Sequence, residues 1–249
     1  MLLSVGMIAK EYRERQQDIK GFEKLEDIIT EVEQTEMTDN VEQSETLQEH
    51  KQSSRNLTPL FEANGDCIGW ICIPNTAVNY PVMFTPEEPQ KYLRKNFEGE
   101  YSVSGVPFFD GASTPECDNL IIYGHNMNDG SMFGSLKKYK DDGFWKKNQY
   151  FTVYSETTAY RYRIFSYEDA VNGGDVYKVG YQPGEEYQKF IDQMIKDSDV
   201  DTGVKPQTSN KILTLSTCTG NGYSKRLAIH AVCVDAQTTD ESKLKETGN

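Results

Sequence analysis

Hydrophobic and polar positions along the chain fall into two textures that meet near Pro59. From Lys10 to about Arg55 the sequence is rich in Glu, Gln, Lys and Thr, and Phe22, Leu25, Ile28, Ile29 and Val32 recur at helical spacing. This predicts a helix that fades into a mobile linker over 34–55, where Met37, Val41 and Leu47 are too few to offset the entropy of ordering. After Pro59, short β-type runs alternate with Gly, Pro and Asn, the pattern of an all-β sandwich or barrel. Eight runs qualify as strands: 68–73, 77–82, 106–109, 120–123, 150–154, 159–167, 212–217 and 227–234. Eight strands are enough to close a barrel, so the expected fold class is mainly β.

Two helices interrupt the strands. One is predicted over 131–139. The other spans 185–197, where Tyr187, Phe190, Ile191, Met194 and Ile195 lie on one face. The second lies in a connection of some 40 residues, 171–210, which is long for a compact β domain; such loops tend to carry function. The expected organisation is an apolar start at 1–9, an acidic helical extension and linker at 10–58, a β domain at 59–235 and a polar tail at 236–249.

Charge and cysteine content narrow the function classes. The 249 residues carry a formal charge of −13, and residues 1–50 alone hold 13 Asp/Glu against 5 Lys/Arg, so the β domain is only mildly acidic. There is no basic stripe to neutralise phosphates, which argues against a nucleic-acid partner. The five cysteines are odd in number and share no repeated spacing, indicating neither a disulfide framework nor a zinc site. The apolar run at 1–9 falls far short of the roughly 20 residues of a spanning helix. On its own it is either the end of a signal-anchor or the apolar start of a helix.

Candidate chemistry gathers at the C-terminal strands. Cys218 ends the alternating run Ile212-Leu-Thr-Leu-Ser-Thr-Cys218 and precedes a glycine-containing turn. It is either a small packed hydrophobe or a reachable thiol at a strand end. Arg226 lies eight residues on, where the returning strand brings it opposite; it is either an exposed hairpin arginine or a fixed cation for a thiolate and a developing oxyanion. Of the histidines, His125 follows an apolar strand and Gly124, at a transition where its ring can turn into a cleft. His230 sits among apolar strand neighbours and reads as packed, and His50 lies in the linker. A Cys with a His is a nucleophile and proton-transfer pair. No carboxylate stands out to complete a triad, which leaves Arg226 as the third member.

Together, Thr214-Leu-Ser-Thr-Cys218, Tyr123-Gly-His125-Asn and Arg226 at the head of the next strand resemble the sortases, transpeptidases of Gram-positive cell surfaces. The resemblance runs from about Phe61 to Val234. The N-terminal helical extension, Gly69-Trp-Ile-Cys-Ile-Pro74, Asn79-Tyr-Pro81, Met132-Phe-Gly-Ser-Leu and the helix in the long loop resemble class B in particular. The resemblance implies an eight-stranded sortase barrel, with Cys218 as nucleophile, His125 as general acid and base, and Arg226 holding substrate or oxyanion. Ser216, Thr217 and Tyr123 would contact substrate or be ordinary strand packing. The 171–210 loop would wall the groove.

It further implies a sorting-signal-bearing surface protein as substrate, with an Asn-Pro-x-Thr motif expected. The amine acceptor would be a peptidoglycan precursor or a pilin lysine. Residues 1–9 would then be the remnant of a membrane anchor, with the catalytic domain outside the cell. No cofactor is expected: Glu168, Asp169 and Asp175 lack calcium-loop spacing and read as a solvated acidic surface. Hydrolysis of the same acyl-enzyme, or a non-catalytic peptide-binding barrel with a buried Cys218, are the competing readings.

Overall fold

In the computed structural model, residues 2–32, 54–114, 117–220 and 224–238 are described. The chain opens with α1 (Leu2–Ile28), β1 (Thr30–Val32), β2 (Ser54–Asn56) and α2 (Thr58–Ala63). Eight strands follow: β3 (Cys67–Cys72), β4 (Asn79–Met83), β5 (Phe108–Phe109), β6 (Asn119–Tyr123), β7 (Tyr150–Tyr154), β8 (Thr158–Val171), β9 (Ile212–Cys218) and β10 (Lys225–Thr238). A short α3 (Phe144–Lys147) precedes β7, and α4 (Glu185–Lys196) lies in the connection between β8 and β9. The strands close in the order β10-β8-β7-β3-β4-β5-β6-β9, so the expected eight-stranded barrel is present. Most pairs are antiparallel, but β4–β5 and β6–β9 are parallel.

Period-two alternation sorts the strand residues between two environments. Leu213, Leu215, Ile122, Leu227 and Ile229 join Ile71, Val82 and Phe151 inside the barrel. Their neighbours Ile212 and Val232, with Phe165 of β8, face outward and are covered by Tyr187, Phe190, Ile191 and Met194 of α4. The apolar face read from the sequence of α4 therefore packs on the barrel, each fully buried side chain contributing about 1.5–3 kcal/mol before entropy is counted. Because β9 is covered on both faces, six of its seven residues are buried.

The observed elements depart from the predicted ones for physical reasons. The helix expected at 131–139 is a 3-10 helix, Phe133–Lys140, entered through Met132 at φ 52°. Strands β8 and β10 run 14 residues each. Their ends carry Glu168, Asp169 and Asp235, so pairing continues where the apolar pattern has stopped. Of the expected mobile linker, 33–53 lies outside the described residues. Arg55 does not behave as linker: it is buried in β2, donates to Asn79 Oδ1 at 3.0 Å and stacks on the Trp70 and Tyr154 rings. A planar guanidinium sandwiched this way orders a segment that polar composition alone reads as free.

Leu25 of α1 and Ile29 just beyond it, with Leu57 and Leu60, form a separate cluster on Trp70, Met83, Phe108 and Tyr154, which fastens the N-terminal helices to the outer barrel wall. Among the described residues no helix is long and apolar enough to cross a membrane.

Gly69 is a point where the barrel wall depends on a missing side chain, because a Cβ there would stand 2.4 Å from the Tyr154 carbonyl oxygen. Gly69→Ala should therefore destabilise the fold by about 1–3 kcal/mol, the usual cost of overpacking. Urea denaturation checks this, and an unchanged midpoint would mean that the β3–β7 contact yields without cost.

Candidate active site

The site is built by register. Parallel pairing of β6 with β9 sets Tyr123 against Ser216, and the Gly124 N–H extends the ladder by donating to the Ser216 carbonyl at 3.1 Å. Two residues further along each chain stand His125 and Cys218, so both emerge at the same end of neighbouring strands. Antiparallel pairing of β9 with β10 then sets Arg226 directly across from Cys218. Alternation places Cys218, like Ser216 and Thr214, on the outer face of the barrel. Cys218, His125 and Arg226 line one cleft of about 490 Å³ together with Leu93, Arg94 and Tyr123.

Gly124 explains why a glycine precedes the histidine: a Cβ there would lie 2.6 Å from the Phe133 ring. The ring packs on bare backbone, and the Phe133 N–H donates to the His125 carbonyl at 2.9 Å, fixing the turn. The His125 side chain is held by main chain: Nε2 lies 2.7 Å from the Leu93 carbonyl oxygen. A carbonyl can only accept, so the proton sits on Nε2 and Nδ1 is left to take up or release the second proton. This backbone carbonyl occupies the place a carboxylate fills in a triad. Nothing in the side-chain pattern could have announced it.

Electrostatics set the resting state. Burial holds His125 below its ordinary value of 6.5, and the positive charges of Arg94 and Arg226 push the same way, against the Leu93 hydrogen bond that favours the charged ring. Arg226 donates from Nη1 to Cys218 Sγ at 2.5 Å. The half-buried Cys218 sulfur thus lies directly against a permanent cation.

The remaining candidates have definite places. Tyr123 donates to Asp110 Oδ2 at 3.1 Å and stacks on Tyr177 with ring centroids 6.2 Å apart. Burial, with the Asp110 charge behind it, raises its pKa far above the ordinary tyrosine range. Ser216 is buried, its hydroxyl 3.1 Å from that of Tyr177, a residue of the long connection. Thr217 falls on the opposite face of β9 from Ser216; it borders the cleft, but its Oγ1 is buried without a hydrogen-bond partner. His230 is fully buried in β10 with Nδ1 2.9 Å from Thr214 Oγ1, the packed strand residue the sequence indicated.

The three acidic residues weighed for calcium go to separate partners. Asp169 pairs with Lys140 and Asp175 with Lys178, while Glu168 approaches His230 at 3.6 Å. Glu168 is thus largely buried rather than part of a solvated surface, since its strand continues under the long connection. No group of three or more His, Cys, Asp or Glu among the described residues is arranged to hold a metal ion. Sequence reasoning missed Leu93 and Arg94 of the β4–β5 connection, Asp110 just after β5, and Tyr177 of the β8–β9 connection.

A closed barrel with a cysteine and an arginine paired across two strands and a histidine beside them defines a cysteine acyl-transfer enzyme. Comparisons with known proteins agree. The sortase domain model matches residues 71–234. Sortase B of Listeria monocytogenes is 32% identical over 172 residues, 68% of this chain and 70% of that protein. Sortase B of Staphylococcus aureus is 29% identical over 187 residues, 71% and 75% respectively. Among solved structures, sortase B from Bacillus anthracis superposes with a TM-score of 0.74 at 26% identity, covering 90% of this chain and 99% of that one. The chain belongs to the sortase family, in its class B branch, and is a cysteine transpeptidase.

The titration of His125 follows in sign from its surroundings. Below pH 6.5 an unfolded chain protonates this ring while the buried site resists. The contribution to stability is therefore complete above 6.5 and is lost as pH falls towards the depressed folded value. NMR of the His125 ring should give a midpoint below 6.5, and Arg226→Ala should raise it by removing one of the two opposing charges. A midpoint at or above 6.5 would mean that the ring is more exposed than the cleft geometry implies.

Proposed function

We propose that the chain cleaves a C-terminal sorting signal of the Asn-Pro-x-Thr type through a thioester on Cys218 and transfers the severed protein to an amine of the cell wall. The observation that carries this reading is the Arg226–Cys218 contact beside His125 in a cleft open to an extended peptide. The Cys218 thiolate attacks the threonine carbonyl carbon, forming a C–S bond, and Arg226 offers N–H donors to the oxyanion. The imidazolium of His125 protonates the leaving nitrogen as the C–N bond breaks. An incoming amine then attacks the thioester, gives its proton to the now neutral His125 and releases the thiolate. A pilin lysine would serve the same step as a wall-precursor amine.

Ser216 and Tyr123 border the path of the bound signal, and Thr217 supports it from beneath β9. We place the catalytic domain outside the cell, tethered to the membrane through the N-terminal side of α1, since surface-protein substrates and wall amines are met there.

The test is mass spectrometry of the protein with an Asn-Pro-Gln-Thr-containing peptide, with and without an amine acceptor. An adduct on Cys218 and acceptor-dependent amide product are expected, with neither in Cys218→Ala. Free acid alone, whatever the acceptor concentration, would mark a hydrolase; no adduct, with Cys218 resistant to alkylation, would mark a peptide-binding barrel. Arg226→Ala should lower kcat by about 10²–10³-fold, the loss typical of an oxyanion donor, with the fold retained. A smaller loss confined to KM would make Arg226 a substrate-binding group instead.

A further inference from the structure

We infer that Asp18 of the N-terminal helix is a positioning residue for His125, acting through Ser102 and Gly105 on the Leu93 carbonyl. This rests on the reading of His125 as the proton-transfer group.

The chain of contacts is continuous. Asp18 Oδ2 accepts from Ser102 Oγ at 2.8 Å and from the Ser104 N–H at 3.3 Å. A carboxylate can only accept, so the single hydroxyl proton of Ser102 is committed to Asp18 and its lone pairs are turned inward. They receive the Ser104 and Gly105 N–H groups at 3.1 and 3.0 Å. Ser102 and Ser104 are buried, so these bonds are shielded from competing water.

The turn held in this way leans on the segment that carries Leu93. Gly105 has φ +61°, and a Cβ there would lie 2.6 Å from the Tyr92 carbonyl oxygen and 2.8 Å from that of Leu93. Only glycine allows this approach at that backbone angle. The Val106 N–H donates to the Tyr92 carbonyl at 3.1 Å, and the Ser102 N–H to the Arg94 carbonyl at 3.0 Å. Arg94 Nη1 closes the loop on the Val103 carbonyl at 3.1 Å. Leu93, between these anchored carbonyls, points its own at His125. The helix that leads into the domain is thus coupled to the orientation of the catalytic imidazole.

Other charged and titratable groups at His125 are Arg94 and Arg226, which oppose its protonation, and Cys218, Tyr123 and Asp110 in the same cleft. Loosening the Leu93 carbonyl removes the one contact that favours the charged ring. The His125 midpoint should then fall further.

The decisive variant is Ser102→Ala, which leaves every charge in place; Asp18→Ala is its partner on the helix, and Asp18→Asn keeps an acceptor oxygen. Glu26→Gln is the control, because Glu26 also ties α1 to the barrel, accepting from Asn79 Nδ2 at 2.5 Å, but stands off this path. In the full chain, Ser102→Ala and Asp18→Ala should lower kcat about tenfold, within the roughly 10²-fold that a misplacement of about 1 Å can cost, with KM little changed. The His125 NMR midpoint and the acid limb of kcat/KM should both move to lower pH, Asp18→Asn should recover most of the loss, and Glu26→Gln should change neither quantity.

Folded Ser102→Ala and Asp18→Ala proteins with an unmoved His125 midpoint would overturn the inference. So would an equal shift in Glu26→Gln, which would reduce α1 to general support. The NMR midpoint is read without substrate, so a failure of the Asn-Pro-Gln-Thr peptide to turn over would count against the proposed substrate and leave this coupling to be decided by titration.

Discussion

The register of β9 between β6 and β10 is the constraint on which the site depends. A slip of one residue would turn Cys218 into the barrel and Leu215 out of it, since side chains alternate with period two. Slippage is opposed from both sides. Leu213 and Leu215 are locked among the barrel residues, while Ile212 is held under α4. The parallel ladder to β6 and the antiparallel ladder to β10 each fix the same register independently. The placement of three side chains from distant parts of the sequence is thus a consequence of core packing, with no need for strong bonds among them.

That placement joins opposite electrostatic demands. Burial and two arginines work against protonation of His125, while Arg226 also holds a positive charge against the Cys218 sulfur. A carboxylate beside the ring would stabilise the imidazolium and lock it into a pair with the thiolate. The Leu93 carbonyl does less: it orients the ring and fixes the tautomer, yet adds no net charge. In the proposed mechanism the histidine would alternate between acid and base within one cycle without leaving a deep electrostatic well.

What was legible in the sequence depended on whether a residue's role was carried by its own side chain. Cys218, Arg226 and His125 stood out because each chemical type sat at a strand end defined by apolar alternation. The amphipathic α4 and most of the strands were readable on the same basis. The paired ends of β8 and β10 were not, because they bear polar residues that a ladder accepts as readily as apolar ones. Arg55 looked like linker because its ordering comes from Trp70 and Tyr154, far along the chain. Leu93 was invisible because the atom that matters belongs to the backbone.

Two connections complete what the barrel begins. The β8–β9 connection brings Tyr177 onto Tyr123 and Ser216 and is tied to β6 where Asn119 Nδ2 donates to the Lys178 carbonyl. The β4–β5 connection brings Leu93 and Arg94 to His125 and is tied to α1 through Ser102 and Asp18. Each wall is fastened at a point remote from the sulfur, one to the barrel and the other to the N-terminal helix. Of the two walls, only the second leads back to the N-terminal helix. Strain on that helix therefore has a direct structural route to the imidazole, and none of comparable directness to Cys218, which is held by the barrel's own register.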